Sequence, residues 1–226
     1  MKNISFLLIF SFLSLYTCQD TTAQDWPNLA KYAEANSKID LSTMNNQRIV
    51  FMGNSITEGW GERDFFNNPN YINRGISGQT TPQMLVRFRQ DVVDLKPQAV
   101  IILAGINDIA GNTGPSTIKM ISDNINSMAE IAMANNIKVI LCSTLPAYDF
   151  PWAPGKEPAP KVIALNTLIK AFAEQNGLHY LDYYSAMVDE RKGLPKKYSY
   201  DEVHCTPEGY AVMEKLVSEA IAKVLK

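Results

Sequence analysis

Arg48-Ile49-Val50-Phe51-Met52-Gly53-Asn54-Ser55-Ile56-Thr57 is the stretch on which the fold turns. Its first half is an apolar run rich in branched side chains and closed by glycine, which reads as a strand buried on both faces. Similar runs follow at Tyr71–Ile76, Ala99–Ala104, Ile137–Ser143 and Leu178–Leu181. The segments between them carry helical period. Thr81-Pro82 reads as N-cap and first helical residue of a helix with Met84, Leu85, Phe88, Val92 and Leu95 on one side. Pro115–Asn135 places Ile118, Ile121, Ile125, Met128 and Ala132 at spacings of three and four. Val162–Gln175 is ended by Asn176-Gly177, and Thr206-Pro207 opens the last helix, with Tyr210, Met213, Val217 and Ile221 inward. A short helix is expected within Asp25–Ile39. Buried strands alternating with amphipathic helices predict an α/β fold: one doubly wound, flavodoxin-like sheet of five parallel strands with helices on both faces.

Composition agrees and excludes other classes. The 226 residues are 46% hydrophobic and 19% charged, with 21 basic against 23 acidic side chains and a net charge of −2. Such a chain folds, and it carries no basic footprint for nucleic acid or an anionic membrane surface. Residues 1–23 read differently from the rest. Met1-Lys2-Asn3 is a positive start, and the apolar run from Ile4 to Tyr16 is too short to span a bilayer, which takes about 20 residues. Thr21-Thr22-Ala23 then supplies a small-x-small cleavage pattern, so residues 1–23 are expected to be a signal peptide and 24–226 one exported domain with no transmembrane segment. Cys18 is the alternative, a lipid-attachment site, but Tyr16 and Thr17 stand where small residues are usual. Of the other cysteines, Cys142 reads as a small buried hydrophobe, and a Cys142–Cys205 bridge is not expected although export permits one. With no CxxC and no HExxH, neither a metal nor another cofactor is expected.

Ligands of doubly wound sheets bind outside the carboxyl ends of the strands. Gly53-Asn54-Ser55 follows the first strand, Gly75-Ile76-Ser77-Gly78 the second, Gly105-Ile106-Asn107-Asp108 the third, and Asp201-Glu202-Val203-His204 precedes the last helix. Singly, these are an ordinary helix cap, a turn glycine, a turn pair and a surface histidine. Jointly they make a nucleophilic site. A serine hydroxyl needs a base to take its proton, and histidine titrates in the right range. A carboxylate on the far ring nitrogen fixes the tautomer, and Asp201 lies three residues from His204. The backbone N–H groups of Ser55 and Gly78 and the Asn107 side-chain amide are then candidate donors to an oxyanion. An α/β-hydrolase elbow would read G-x-S-x-G, but position 57 is Thr. Cys205 is a poor alternative nucleophile, because it directly follows His204 and the only other histidine, His179, falls in an expected strand.

These four blocks, in this order and spacing, resemble the SGNH/GDSL hydrolase family over nearly the whole chain past the leader. The resemblance implies a three-layer α/β/α fold and ester hydrolysis through an acyl-enzyme. It makes Ser55 the nucleophile, Gly78 and Asn107 oxyanion donors, and Asp201 and His204 the DxxH pair. Asn54 stands where the family motif has Asp, which touches a local hydrogen bond and not the nucleophile.

Substrate is read from aromatic residues. Leu145–Pro160 holds Tyr148, Phe150 and Trp152 among Pro146, Pro151, Pro154, Pro158 and Pro160, a stiffened loop suited to a fixed wall. Trp60 follows soon after the nucleophile. Trp60, Tyr148 and Trp152 are therefore candidate contacts for a sugar ring, and the expected substrate is an acetyl or other short-chain ester of a carbohydrate. The alternatives are a lysophospholipase or broad acylesterase, and a carbohydrate-binding relative without turnover.

Overall fold

The computed structural model describes residues 24–42 and 47–226; the expected leader, Cys18 included, lies outside them. Helix α1 (Ala30–Ser37) leads into β1 (Ile49–Gly53), α2 (Ser55–Trp60), β2 (Tyr71–Gly75), α3 (Thr81–Asp91) and β3 (Ala99–Leu103). Then come α4 (Ile106–Ala110), α5 (Ile118–Ala134), β4 (Lys138–Cys142), α6 (Pro158–Gln175), β5 (His179–Leu181), α7 (Tyr183–Met187) and α8 (Pro207–Val224). The five strands are all parallel in the order β2-β1-β3-β4-β5, the flavodoxin-like sheet expected from the alternation. Helices α3, α5 and α6 pack in a row on one face, while α8 lies against β4 and β5 and reaches α2 through Tyr210. This is the three-layer α/β/α arrangement.

β1 lies inside the sheet between β2 and β3, and each of its residues is buried, as the continuous apolar run demanded. Around Phe51 an aromatic cluster forms with Trp60, Phe65, Phe66 and Tyr71; Phe51 and Phe66 sit 4.9 Å apart edge to face, Trp60 and Phe65 stack at 5.2 Å. Each such pair adds about 0.5–1.5 kcal/mol beyond its area burial.

Several boundaries move for local reasons. The cap of α3 is Thr80, not Thr81, because Gln83 closes a reciprocal capping box with it and Pro82 still fits the first turn. Helix α6 starts at Pro158, four residues before the expected start, so Pro158 and Pro160 belong to a helix and not to the loop before it. Asn54 caps α2 by accepting the Ile56 N–H at 3.1 Å, so Ser55 is the first helical residue and its hydroxyl is left for other work. Cys142 and Cys205 are separate buried thiols. Among the described residues no helix is long and apolar enough to cross a membrane.

Candidate active site

The site is assembled where β1, β2 and β3 end. Gly53, Gly75 and Leu103 stand in register across the three strands, so the turns that follow them emerge side by side. The close approach of α2 to β2 requires glycine at 75, where a Cβ would lie 2.1 Å from the Glu58 nitrogen. The loop after β2 then folds back on β1 and α2. Ile76 N–H donates to the Gly53 carbonyl at 3.2 Å, and the Ser77 N–H and hydroxyl both donate to the Glu58 carboxylate. Gly78 has φ +76°, a left-handed conformation that its missing side chain allows, and its carbonyl accepts from the Asn112 amide at 3.0 Å. On α4, just past β3, Asn107 is 6% exposed and its Nδ2 donates to the Gln79 carbonyl at 2.9 Å, which anchors one of its two N–H groups beside the Gly78 turn.

The histidine arrives from the far end of the chain. His204 Nε2 lies 3.0 Å from Ser55 Oγ, and His204 Nδ1 lies 2.7 Å from Asp201 Oδ2. The other Asp201 oxygen accepts the backbone N–H of His204 at 2.7 Å and that of Val203 at 3.1 Å. Burial pushes the Asp201 carboxyl up, but these N–H groups and the imidazole outweigh it and hold it below the ordinary carboxylate range. An ionised Asp201 only accepts, so the ring proton sits on Nδ1 and the Nε2 lone pair faces the serine hydroxyl. The hydrogen bonds run in series from carboxylate to imidazole to hydroxyl. Ser55 N–H belongs to the first turn of α2, where donors have no intrahelical partner. The first turn of α2, the Gly78 turn and the Asn107 amide thus gather at the same carboxyl edge of the sheet. Cys205, by contrast, is buried against Met213, and burial pushes its thiol up to about 12. His179 starts β5, at the opposite end of the sheet.

The aromatic candidates divide. Trp60 is 1% exposed, stacked between Phe65 and Tyr210 with its Nε1 donating to Glu214 at 3.2 Å. It therefore offers no face to a substrate, which corrects the expectation from sequence. Ile56 and Trp60 are four residues apart on α2, so both belong to the stripe that packs inward. Phe150 is likewise buried and pins the loop down. Trp152 is 51% exposed, with its ring 5.4 Å from Phe150 and 6.1 Å from the His204 ring. Tyr148 is half exposed, and the Arg191 guanidinium covers it at 5.2 Å. Beside the serine, a cleft of about 390 Å³ is lined by residues that include Ser55, His204, Glu62, Arg63, Tyr200 and Tyr210. Sequence reasoning missed Glu62, Arg63 and Tyr200, because nothing in their local spacing sets them apart from a solvated turn.

A sheet of this order, with Ser55, His204 and Asp201 bonded in series at its carboxyl edge, is the arrangement expected of an SGNH hydrolase. The chain belongs to the GDSL-like lipase/acylhydrolase family, whose model matches residues 51–212, and this places it among ester-hydrolysing enzymes. A crystal structure from Bacteroides fragilis NCTC 9343 is 50% identical, with a TM-score of 0.87 over 90% of this chain and 100% of that one. A GDSL-like lipase from Bacteroides thetaiotaomicron VPI-5482 is 48% identical, with a TM-score of 0.84 over 87% of this chain and 98% of that one. The lipoprotein YqeF of Bacillus subtilis (strain 168) is 30% identical over 179 residues, 69% of this chain and 63% of its own length. The match thus spans under two thirds of that curated relative.

Proposed function

We propose that this chain is an exported serine esterase that removes acetyl or another short acyl group from a carbohydrate. The observation that carries the chemistry is the hydrogen-bonded series Asp201–His204–Ser55, at 2.7 and 3.0 Å. His204 Nε2 takes the Ser55 proton as Oγ bonds to the acyl carbon, and the carbonyl electron pair moves onto oxygen. Ser55 N–H, Gly78 N–H and Asn107 Nδ2 receive that oxyanion. On its collapse the bond to the alcohol breaks, His204 returns the proton to the departing oxygen, and the acyl group stays on Ser55. Water, deprotonated by the same imidazole, then releases the acid.

The carbohydrate reading draws on Trp152, a half-exposed ring held beside the imidazole by a buried Phe150. An alcohol leaves on the His204 side, so a sugar bearing it would meet this ring. The cleft at Ser55 holds the charged side chains Glu62 and Arg63 and so suits a short acyl group or hydroxyls better than a long alkyl chain. Export draws on the pattern of residues 1–23, cleaved after Ala23.

The test has three arms. Ser55→Ala should abolish release of p-nitrophenol from p-nitrophenyl acetate, a fluorophosphonate should label Ser55, and acetyl esters should outrun octanoyl esters. Residual turnover by Ser55→Ala above about a hundredth of wild type, or labelling elsewhere with Ser55 untouched, overturns the mechanism; a long-chain preference overturns the substrate. The intact mass of the exported protein separates cleavage after Ala23 from a lipid on Cys18.

A further inference from the structure

On the serine-esterase reading above, we propose that Arg87, fully buried on α3, is the positioning residue of the oxyanion hole. Its guanidinium spreads its donors over four partners, one each on α3, β1, β2 and the loop after β2. Nε donates to Gln79 Oε1 at 2.6 Å, Nη1 to Asp91 Oδ2 at 2.9 Å, and Nη2 to the Gly53 carbonyl at 3.1 Å and the Arg74 carbonyl at 2.9 Å. Gly53 lies two residues before Ser55, and Arg74 precedes the turn that carries Gly78. Gln79 follows Gly78 directly, and its own carbonyl holds Asn107 Nδ2 at 2.9 Å. Each of the three proposed oxyanion donors thus hangs from backbone or side chain that this one cation ties together.

A guanidinium suits the task because its donors leave in fixed directions within one plane, so the two strand ends and the loop are set at defined separations. A buried charge with a single carboxylate partner is costly to keep, and a hydrophobic replacement of similar size often serves stability as well. Asp91 balances the charge, and the remaining donors go to the site's own backbone and to Gln79. The arrangement fits a residue retained for the placement of donors, where an error of about 1 Å costs on the order of 10²-fold in rate.

The test compares Arg87→Lys with Gln79→Ala, which keeps the Arg87–Asp91 pair and removes the Arg87 link to the loop side chain. Gln79 also donates to the Pro27 carbonyl at 2.7 Å, so Gln90→Ala, which removes a like bond from α3 to the Leu29 carbonyl together with a long 3.4 Å bond to Asp91 Oδ1, is the control. Expected are a fall in kcat on p-nitrophenyl acetate of about 10²-fold for Arg87→Lys and about tenfold for Gln79→Ala. KM should stay within about twofold, and a short trifluoromethyl ketone, whose adduct with Ser55 carries the oxyanion, should bind more weakly by the same factors. In an Asn107→Ala background the Gln79→Ala loss should shrink below about threefold. Wild-type kcat in Gln79→Ala, ketone affinity unmoved while kcat falls, or losses that multiply in full with Asn107→Ala would each overturn the proposal. Arg87→Lys that fails to fold leaves Gln79→Ala to decide. An inactive Ser55→Ala beside an unaffected Gln79→Ala sinks the Arg87 role alone, whereas an active Ser55→Ala sinks the reading beneath it.

Discussion

Replacing Asn107 probes the site most directly, because its amide has a known anchor and little room. At 6% exposure, with one N–H on the Gln79 carbonyl at 2.9 Å, the side chain is held in one orientation before any substrate arrives. On the proposed mechanism the second N–H is a preorganised donor to the oxyanion, and such a donor acts on the transition state more than on the bound ester. Asn107→Ala should therefore lower kcat by about 10²–10³, or about 2.7–4 kcal/mol, and change KM little. Asn107→Asp is isosteric yet should do more harm. It puts an oxygen where Nδ2 faces the Gln79 carbonyl and leaves that carbonyl without its donor, which costs about 1–3 kcal/mol of stability. Initial rates on p-nitrophenyl acetate, alongside thermal unfolding of each variant, separate the two effects. An Asn107→Ala enzyme within about threefold of wild-type kcat, or one whose loss lies wholly in KM, would refute the assignment.

Three further outcomes follow from particular contacts. Trp60→Phe should lower Tm while leaving kcat/KM on any ester within about threefold, and Trp60→Ala should cost about 3–5 kcal/mol; a selective KM defect on sugar esters in a stable Trp60→Phe protein would restore it as a substrate contact. Trp152→Ala should weaken turnover of an acetylated oligosaccharide by at least about tenfold, some 1.4 kcal/mol, and spare p-nitrophenyl acetate; equal losses on both would mean that the ring only packs the loop. Asp108 is buried, and although the Thr81 N–H and hydroxyl donate to it, burial raises its pKa from an ordinary 3.8 to about 6. The fold then binds a proton that the unfolded chain has lost, so stability should fall by about 3 kcal/mol as pH rises from about 4 to about 6 and change no further through this group. Urea unfolding of wild type against Asp108→Asn at pH 4 and pH 7 reads this difference, and parallel stability curves would contradict it.

The strands were legible because burial on both faces leaves an unbroken apolar signature, and each of the five expected runs contains an observed strand. Helix starts were less legible. Thr80 and Thr81 are both good caps, and only the reach of Gln83 back to Thr80 chose between them. The short α2, α4 and α7 left no periodic signal, being one turn or little more. In the site, Ser55, Gly78, Asn107, Asp201 and His204 could be picked out because block order and the strand-end rule converge on them. Trp60 was misread for want of one fact, which way α2 faces.

Sequence by itself determined the parallel α/β sheet, the edge at which chemistry gathers, and the residue types that gather there, since burial, chain order and side-chain chemistry are all written along one dimension. Only the tertiary structure decided that Trp60 turns inward while Trp152 stands beside His204, and that Arg87 ties two strand ends to the Gly78 turn. Those outcomes depend on which faces meet and on hydrogen bonds between residues 8 to 34 positions apart, as for Arg87 with Gln79 and Gly53. No local pattern encodes such meetings, because they come into being only when the layers pack.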